Sequence, residues 1–263
     1  MLDFLTFGTA KLQVFLLILF RSAGLFLISP IFGHRSIPVL IRAGLSILLA
    51  VILIPLVPAD QMPVVESVWL LAALAVKEML VGFIIGLLFS LLFVGVRIAG
   101  NIVGYQIGLI IANVFDPETN SQNSVIGEFW YVLAILIFLT IDGHHAILSA
   151  FSDSYKLVPV GVFNFSGPAG EQLIRLSAYA FTIGIKLAAP VIITLFLTEV
   201  ALGVVARTVP QMNIFIVGIP VKIGIGLFIL AVALPVFRYM IEKTVYFLDG
   251  EVTKILINIG TVS

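Results

Sequence analysis

Long apolar stretches dominate this chain and restrict what it can fold into. A helix needs roughly 20 residues, at 1.5 Å each, to cross a hydrocarbon core of about 30 Å. Four of the stretches reach that length, whereas the second and the fourth are shorter. The pattern predicts an all-α membrane protein with about six apolar helices, several of them kinked or short. The stretches are residues 12–32, 43–57, 68–96, 129–141, 176–198 and 212–237.

The composition excludes several classes of soluble protein. Hydrophobic residues make up 61% and charged residues 11% of the 263 residues, against roughly 45–50% and about 25% in an ordinary soluble domain. This much apolar surface cannot be hidden in one water-soluble core of that size. The 14 basic residues balance the 14 acidic ones, so no net positive charge would attract nucleic acid. Because cysteine is absent, disulfides and thiolate chemistry are excluded.

The amino terminus partly resembles a secretory signal, because Lys11 precedes an apolar run. Arg21 interrupts the position where cleavage would be expected, and apolar sequence continues to Phe32. We therefore expect this segment to be retained as the first helix. Since no repeat or low-complexity tract divides the chain, residues 1–263 are expected to form a single domain.

Several charged residues lie in or next to the apolar stretches. An ionisable side chain at the centre of a bilayer costs at least ~2.5–3.5 kcal/mol, so it must pair, face water or be covered by other subunits. A proton or ion relay is one interpretation, and structural pairing within the chain or with partner subunits is the other. The acids are scattered among the bases, which favours pairing. These charged residues are Arg21, Lys77, Glu78, Lys186, Glu199, Arg207 and Lys222.

Proline and glycine modify the predicted helices. Pro190 lies within the fifth stretch and Pro220 within the sixth, where each is expected to kink or end the helix. Gly100, Gly104 and Gly108 follow one another at intervals of four residues. This spacing places them on one helical face, where another backbone can approach closely.

Residues 104–128 begin apolar and become polar, and Asp116-Pro117 is a turn signal. The segment is too apolar at first for a solvated loop and too polar later for a membrane span. It therefore predicts a re-entrant element that needs protein or a pore wall around it. A calcium loop is excluded, because Ser121 stands at its glycine position and Gly127 at its glutamate position.

The sequence Asp-Gly-His-His at residues 142–145 is the other cluster that resembles a site. Adjacent histidines are expected to point apart on a helix, and no third imidazole accompanies them. We therefore interpret the cluster as a polar turn that ends the fourth stretch. Neither a nucleophile elbow, a phosphate-binding loop nor a carboxylate pair is present. The sequence predicts no enzyme activity, no cofactor and no metal site.

Four collinear segments carry a family resemblance: FGHRSIPVLIRAGLSILLAVILIP (32–55), GYQIGLIIANVFDPETNSQ (104–122), IDGHHAILSAF (141–151) and ARTVPQMNIFIVGIPVK (206–222). With these segments the chain resembles the FliR/SctT family, the export-gate subunits of bacterial type III secretion systems. The last segment is more similar to the flagellar branch than to the virulence branch. Ser124 departs from the family pattern, which often has proline at that place.

The resemblance implies a multi-subunit helical export-gate assembly. In it, the subunit would resemble a fused FliP-like plus FliQ-like unit, and much of the assembly would stand above the bilayer plane. The implied partners are FliP-like and FliQ-like subunits, with FlhB-like and FlhA-like export components nearby. Unfolded flagellar proteins would be the cargo, and the assembly would lie in a lipid bilayer. No nucleic acid would be a partner. The implied location is the bacterial inner membrane at the flagellar basal body.

The resemblance also implies that residues 104–122 form a plug that helps to close the pore. Its glycines would allow a tight fold, and its large apolar side chains would exclude water and ions. The residues carried over to this plug are Gly104, Tyr105, Gln106, Ile107, Gly108, Ile110, Phe115, Asp116 and Pro117.

The sequence therefore leaves two alternative functions from different classes. The first is passive, gated conduction of unfolded protein, with energy supplied elsewhere in the apparatus. The alternative is an ion-coupled secondary transporter that uses the buried charges as a relay. Such transporters show inverted repeats with broken helices in corresponding places. Pro190 and Pro220 lie inside the last two stretches, whereas the third has no proline and the second has only Pro55 near its end, which weakens the transporter hypothesis.

Overall fold

The computed structural model describes residues 2–34, 36–57, 65, 67–108, 124–165, 167–211 and 213–260, and helices with short connecting turns make up these ranges. No strand occurs in these ranges. A short 3₁₀ turn, Ile54–Leu56, follows the second helix. The helices are α1 (Leu2–Ile28), α2 (Val39–Leu53), α3 (Val68–Ile107), α4 (Val125–Thr140), α5 (Gly143–Leu157), α6 (Gly167–Thr208) and α7 (Ile214–Gly260).

Five of the described helical segments are long and apolar enough to cross a membrane. They lie in α1, in α2 with its 3₁₀ turn, and in α3, α6 and α7. A sixth span arises if α4 and α5, which bend by 66° at their junction, are counted together. The prediction of an all-α membrane protein with about six apolar helices, some of them short or bent, is confirmed.

Three helices are much longer than a bilayer core. Helices α3, α6 and α7 contain 40, 42 and 47 residues, which corresponds to about 60–70 Å at 1.5 Å per residue. A hydrocarbon core is about 30 Å thick and helices tilt by up to ~40°. Tilting alone cannot place these helices inside the hydrocarbon, so parts of them must lie outside it.

Helix α3 is longer than the stretch of residues 68–96 from which it was predicted. It continues through Arg97 to Ile107, because a charged residue interrupts an apolar run without breaking the backbone hydrogen bonds of a helix. The Arg97 guanidinium lies over the Tyr131 ring, 4.2 Å from its centroid. This cation–π contact stabilises the charge within the protein.

The prolines of the last two stretches do not end their helices. Pro190 lies inside α6, and Pro220 and Pro235 lie inside α7. Of the two expected outcomes, a helix end at Pro190 or Pro220 does not occur, and a kink there stays a prediction. Proline removes one backbone donor and displaces one carbonyl, and the apolar sequence on both sides is long enough to keep the helix continuous.

The chain folds into two compact units, each assembled from separate segments. Unit 1 is Met1–Leu91, Asp142–Ser177 and Val245–Ser263, and unit 2 is Leu92–Ile141 and Ala178–Thr244. The expectation of a single domain over residues 1–263 stays a prediction.

Unit 1 is held together by close approach of α1 and α3. A Cβ atom added at Gly82 would collide with the Arg21 carbonyl oxygen, and one added at Gly24 would collide with the Met79 carbonyl oxygen. The same atom at Gly86 would lie 2.9 Å from a carbonyl oxygen of α1. Glycine therefore lets the two helix backbones touch, and the same contact brings Arg21 next to the turn of α3 that contains Glu78.

Unit 2 contains a similar contact between α3 and α6. A Cβ atom at Gly95 would lie 2.8 Å from the Ala180 carbonyl oxygen, and one at Gly184 would lie 3.0 Å from the Gly95 carbonyl oxygen. The ring of Phe93 packs edge-on against Tyr131 and Phe138 of α4, with centroids 5.8 and 5.5 Å away. These contacts fix α4 and α6 along the second half of α3.

Candidate functional site

The amino-terminal end of the predicted plug is helical. Residues 104–107 form the last turn of α3, and the Gly108 N–H donates to the Tyr105 carbonyl oxygen at 3.1 Å. Gly108 has a φ of 92°, a left-handed conformation that costs glycine little and other residues much. The chain therefore leaves the helix at Gly108. The other predicted plug residues, Ile110, Phe115, Asp116 and Pro117, lie outside the described residues.

The described plug residues differ in their exposure. Ile107 is fully buried, Tyr105 is 52% exposed, and Gln106 and Gly108 are half-buried. Gly104 is buried. The last turn of α3 therefore presents one side to the protein, through Gly104 and Ile107, and another to its surroundings, through Tyr105.

Small residues bring the last turns of α3 against the start of α4 in a contact that we call the α3–α4 seam. A Cβ atom at Gly104 would collide with the Ser124 side chain, and one at Gly100 would collide with the Gly127 Cα atom. The Ser124 N–H donates to Asn101 Oδ1 at 3.4 Å. The last turns of α3 and the start of α4 thus lie beside each other.

Ser124, which departs from the family pattern, occupies the centre of this seam. Its backbone N–H makes the bond to Asn101, which proline could not make because proline has no N–H. Its Oγ atom is buried and has no hydrogen-bond partner among the described residues. At this position the chain therefore uses a backbone donor that proline would lack.

Arg21 and Glu78 form a buried ion pair in unit 1. Arg21 Nε donates to Glu78 Oε2 at 2.5 Å, and the two side chains are 0% and 1% exposed. The other guanidinium nitrogens donate to Ser154 Oγ and to the Val158 carbonyl oxygen, each at 3.0 Å. The guanidinium also lies 4.2 Å from the centroid of the Tyr155 ring. Arg21 therefore joins α1 to α3 and α5.

The second carboxylate oxygen of Glu78 also has a partner. Glu78 Oε1 accepts a hydrogen bond of 2.7 Å from the Gly161 N–H, in the turn after α5. Both oxygens of this carboxylate are occupied by fixed donors, and burial separates them from water. This geometry favours structural pairing over a proton relay, because a relay needs a partner that can exchange protons. We call these six residues the Arg21 cluster: Arg21, Glu78, Ser154, Tyr155, Val158 and Gly161.

The other predicted charges lie closer to the surface. Lys222 Nζ donates to Glu199 Oε1 in unit 2, where the side chains are 20% and 43% exposed. Lys186 and Arg207 are exposed and Lys77 is half-buried. Among the described residues, none of these three is part of an ion pair. Their predicted role in contacts with other subunits stays a prediction.

The sequence analysis missed a polar network at the end of α7. Glu251 is 4% exposed and accepts hydrogen bonds from Gln172 at 2.8 Å and from Lys254 at 2.6 Å. Asn258 donates to the Gln172 Oε1 atom at 3.1 Å, and Arg175 lies 3.7 Å from the Glu251 carboxylate. The spacing of Glu251 and Lys254 was a detectable signal, because residues three apart face each other on a helix.

Asp142, His144 and His145 lie together at the start of α5, with potential ligand atoms within 4.8 Å of one another. The expectation that the histidines point apart is wrong, since their ring centroids are 4.2 Å apart. The left-handed conformation of Asp142, with φ 57°, produces the sharp bend before these residues. The side chains of Asp142 and His145 are 70% and 69% exposed, and the positive end of the helix dipole disfavours a cation there.

The sequence is similar to a family of known proteins over most of its length. Residues 12–247 match the family described as bacterial export proteins, family 1. The chain belongs to this family. The flagellar biosynthetic protein FliR of Bacillus subtilis (strain 168) is 37% identical over 252 residues, which are 95% of this chain and 96% of that protein. FliR of Escherichia coli (strain K12) is 31% identical over 226 residues, 85% of each chain. FliR of Aquifex aeolicus (strain VF5) is 34% identical over 220 residues, 84% of each chain.

Membership of the bacterial export proteins, family 1, confirms the resemblance to the FliR/SctT family that the four collinear segments indicate. The matched range contains the Arg21 cluster residues, the α3–α4 seam and the Glu199–Lys222 pair. The family match and the five or six helices that could span a bilayer identify the chain as a bacterial membrane protein of the flagellar export family.

Proposed function

We propose that this chain is a subunit of the flagellar type III export gate and that it helps to form and to close the channel for unfolded flagellar proteins. The family match over residues 12–247 is the observation that supports this function most strongly. The relatives reported above are named flagellar biosynthetic proteins, and each covers at least 84% of this chain. The proposed location is the bacterial inner membrane at the flagellar basal body.

Closure of the channel is assigned to the plug segment, residues 104–122. The seam supports this role, because it holds Gly104, where the segment begins, against Ser124, which follows it in the sequence. Large apolar side chains in a narrow pore exclude water, and ions cannot pass a dewetted constriction. We assign this bulk to Ile110 and Phe115 and the reversal of the chain to the turn residues Asp116 and Pro117, whereas Ile107 is fully buried at the end of α3.

The proposed partners are FliP-like and FliQ-like subunits, with FlhB-like and FlhA-like components of the same apparatus. Large apolar side chains are exposed along α6 and α7, including Phe196 (58%) and Phe228 (67%), on helices too long to be covered by a bilayer alone. Neighbouring protein would cover these surfaces outside the hydrocarbon. The exposed Lys186 and Arg207 are the charges that we assign to contacts with these neighbours.

Deleting the gene for this chain from its bacterium tests the proposed role in export. We expect flagellar filament protein to accumulate inside the cells and to disappear from the medium, because no complete gate can form. The measurement is the amount of filament protein in the two fractions, and the control is the same strain with the gene restored. Normal secretion in the strain that lacks the chain would contradict the proposal and would favour a separate transport function.

A further inference from the structure

Trp69, at the start of α3, is a large side chain that the protein leaves uncovered. It is 86% exposed, and it makes no hydrogen bond with the described residues. The other tryptophan of the chain, Trp130, is only 3% exposed. An indole ring is apolar, but its N–H group needs an acceptor. Water alone leaves the ring exposed and hydrocarbon alone leaves the N–H unpaired, so surroundings that combine both suit Trp69 best.

An exposed apolar face continues from Trp69 along the first turns of α3. Ala72, Ala73, Val76 and Leu80 are exposed, and they follow Trp69 at the spacing of one helical face. None of these side chains is charged. We call these five residues the Trp69 stripe. It extends about 16 Å at 1.5 Å per residue, which is about half of a hydrocarbon core.

The chain immediately before α3 is polar and is attached to α1. Glu66 and Ser67 precede the helix. The Gln13 amide of α1 makes two hydrogen bonds with the backbone of Val65, donating to the carbonyl oxygen at 2.8 Å and accepting from the N–H at 3.0 Å. Trp69 therefore lies at a change from polar to apolar sequence, and contacts within the protein fix where this change occurs.

Lys11 of α1 lies at nearly the same level as Trp69. The two helices run in the same direction, because their contacts advance together along both sequences. Trp69 precedes Glu78 by nine residues, and Lys11 precedes Arg21, the partner of Glu78, by ten. The rise per residue is equal in the two helices, and Lys11 is exposed. A lysine beside an indole is typical of a bilayer surface, where the ammonium meets phosphate groups and the ring lies below them.

We propose that the start of α3 is a lipid-contact surface, with Trp69 at the boundary between the headgroups and the hydrocarbon of a phospholipid bilayer. The Trp69 stripe then contacts acyl chains. Lipid carbonyl groups supply acceptors for the indole N–H along the whole boundary, whereas a protein partner would have to supply one at this single place. This inference concerns the membrane contact and does not depend on the proposed role in export.

The half-buried Lys77 is compatible with this placement. It lies about 12 Å along α3 from Trp69, at 1.5 Å per residue. Side chains of a helix are directed toward its amino terminus, so the flexible stem of Lys77 carries the ammonium back toward the headgroups.

Quenching of tryptophan fluorescence by brominated phospholipids tests the proposal. The chain is purified with its co-purifying proteins and placed in vesicles of phosphatidylcholine and phosphatidylglycerol. The acyl chains carry bromine near either the glycerol end or the methyl end. The signal of Trp69 is the difference between the parent complex and Trp69→Phe. We expect bromine near the glycerol end to quench this signal at least about twofold more strongly, because indole rings favour the headgroup boundary.

Trp130→Phe is the matched control, because it removes the buried indole of the same chain. The difference signal of Trp130 should respond neither to the brominated lipids nor to acrylamide in the water. Three results for Trp69 would overturn the proposal. Stronger quenching from the methyl end would place the ring inside the hydrocarbon, and quenching by acrylamide alone would place it in water. Protection from both quenchers would show that a neighbouring protein covers it.

Discussion

Deleting residues 109–118 is expected to make the assembled complex leak ions. The deletion removes Ile110, Phe115 and the Asp116-Pro117 turn and keeps Gly108 and Ser124. The five remaining residues can span up to about 17 Å, which is sufficient because Ser124 lies against α3 one helical turn before Gly108. Without the apolar bulk, water can fill the constriction. We expect K⁺ efflux to rise about tenfold or more, since each 1.4 kcal/mol of lost barrier corresponds to a factor of ten.

A replacement of the same length provides the control for this deletion. Substituting residues 109–118 by ten alternating glycine and serine residues keeps the length of the loop and removes its apolar side chains. It should also leak, because closure depends on apolar bulk and not on the length of the segment. Efflux at the parent level in both variants, measured in complexes of normal composition, would show that these residues do not close a pore.

Breaking the buried pair of Arg21 and Glu78 is expected to cost far more stability than removing a partly exposed charge of the described residues. Glu78→Ala leaves the Arg21 guanidinium at 0% exposure without its counter-charge. It also leaves the Gly161 N–H without its acceptor. Removing one partner of a buried ion pair costs about 3–5 kcal/mol. The variant should therefore accumulate poorly and unfold at a lower temperature in detergent, as followed by circular dichroism.

Two further variants test whether the burial of the pair causes this loss of stability. Glu199→Ala removes an acid whose pair with Lys222 is partly exposed, and it should cost less stability than Glu78→Ala because neither charge is fully buried. The double change Arg21→Met with Glu78→Leu removes both buried charges and should recover part of the stability lost in Glu78→Ala. Equal losses for Glu78→Ala and Glu199→Ala would contradict the assignment of Arg21 and Glu78 as the central buried pair.

The sequence predicted the helical architecture well because apolar runs of this length have few alternatives in a membrane. It was less successful at helix ends. The third helix was expected to end near residue 96, but it ends at Ile107. A single arginine does not terminate a helix when its guanidinium can lie over an aromatic ring. Similarly, Pro190 and Pro220 lie inside continuous helices, since long apolar flanks preserve the rest of the hydrogen bonds.

The side-chain pairs were harder to predict because their partners are far apart in the sequence. Arg21 and Glu78 are separated by 57 residues, and only the packing of α1 on α3 brings them together. Ile107 likewise packs on Gly226, where an added Cβ atom would lie 2.6 Å from Ile107 Cγ1, and no local spacing relates these two positions. The glycine repeat at residues 100, 104 and 108 did identify the correct helical face, since Gly100 and Gly104 form the α3–α4 seam. The closeness of His144 and His145 depends on the bend at Asp142, which neither propensity nor periodicity indicates.

The identity of the proteins that remain attached to this chain tests the account most directly. The chain is tagged at its carboxyl terminus, extracted from its host in a mild detergent, and analysed by mass spectrometry together with everything it retains. We predict a stable complex that contains FliP-like and FliQ-like proteins. A monomer surrounded only by detergent and lipid, from cells in which the tagged chain fully supports filament secretion, would contradict the account.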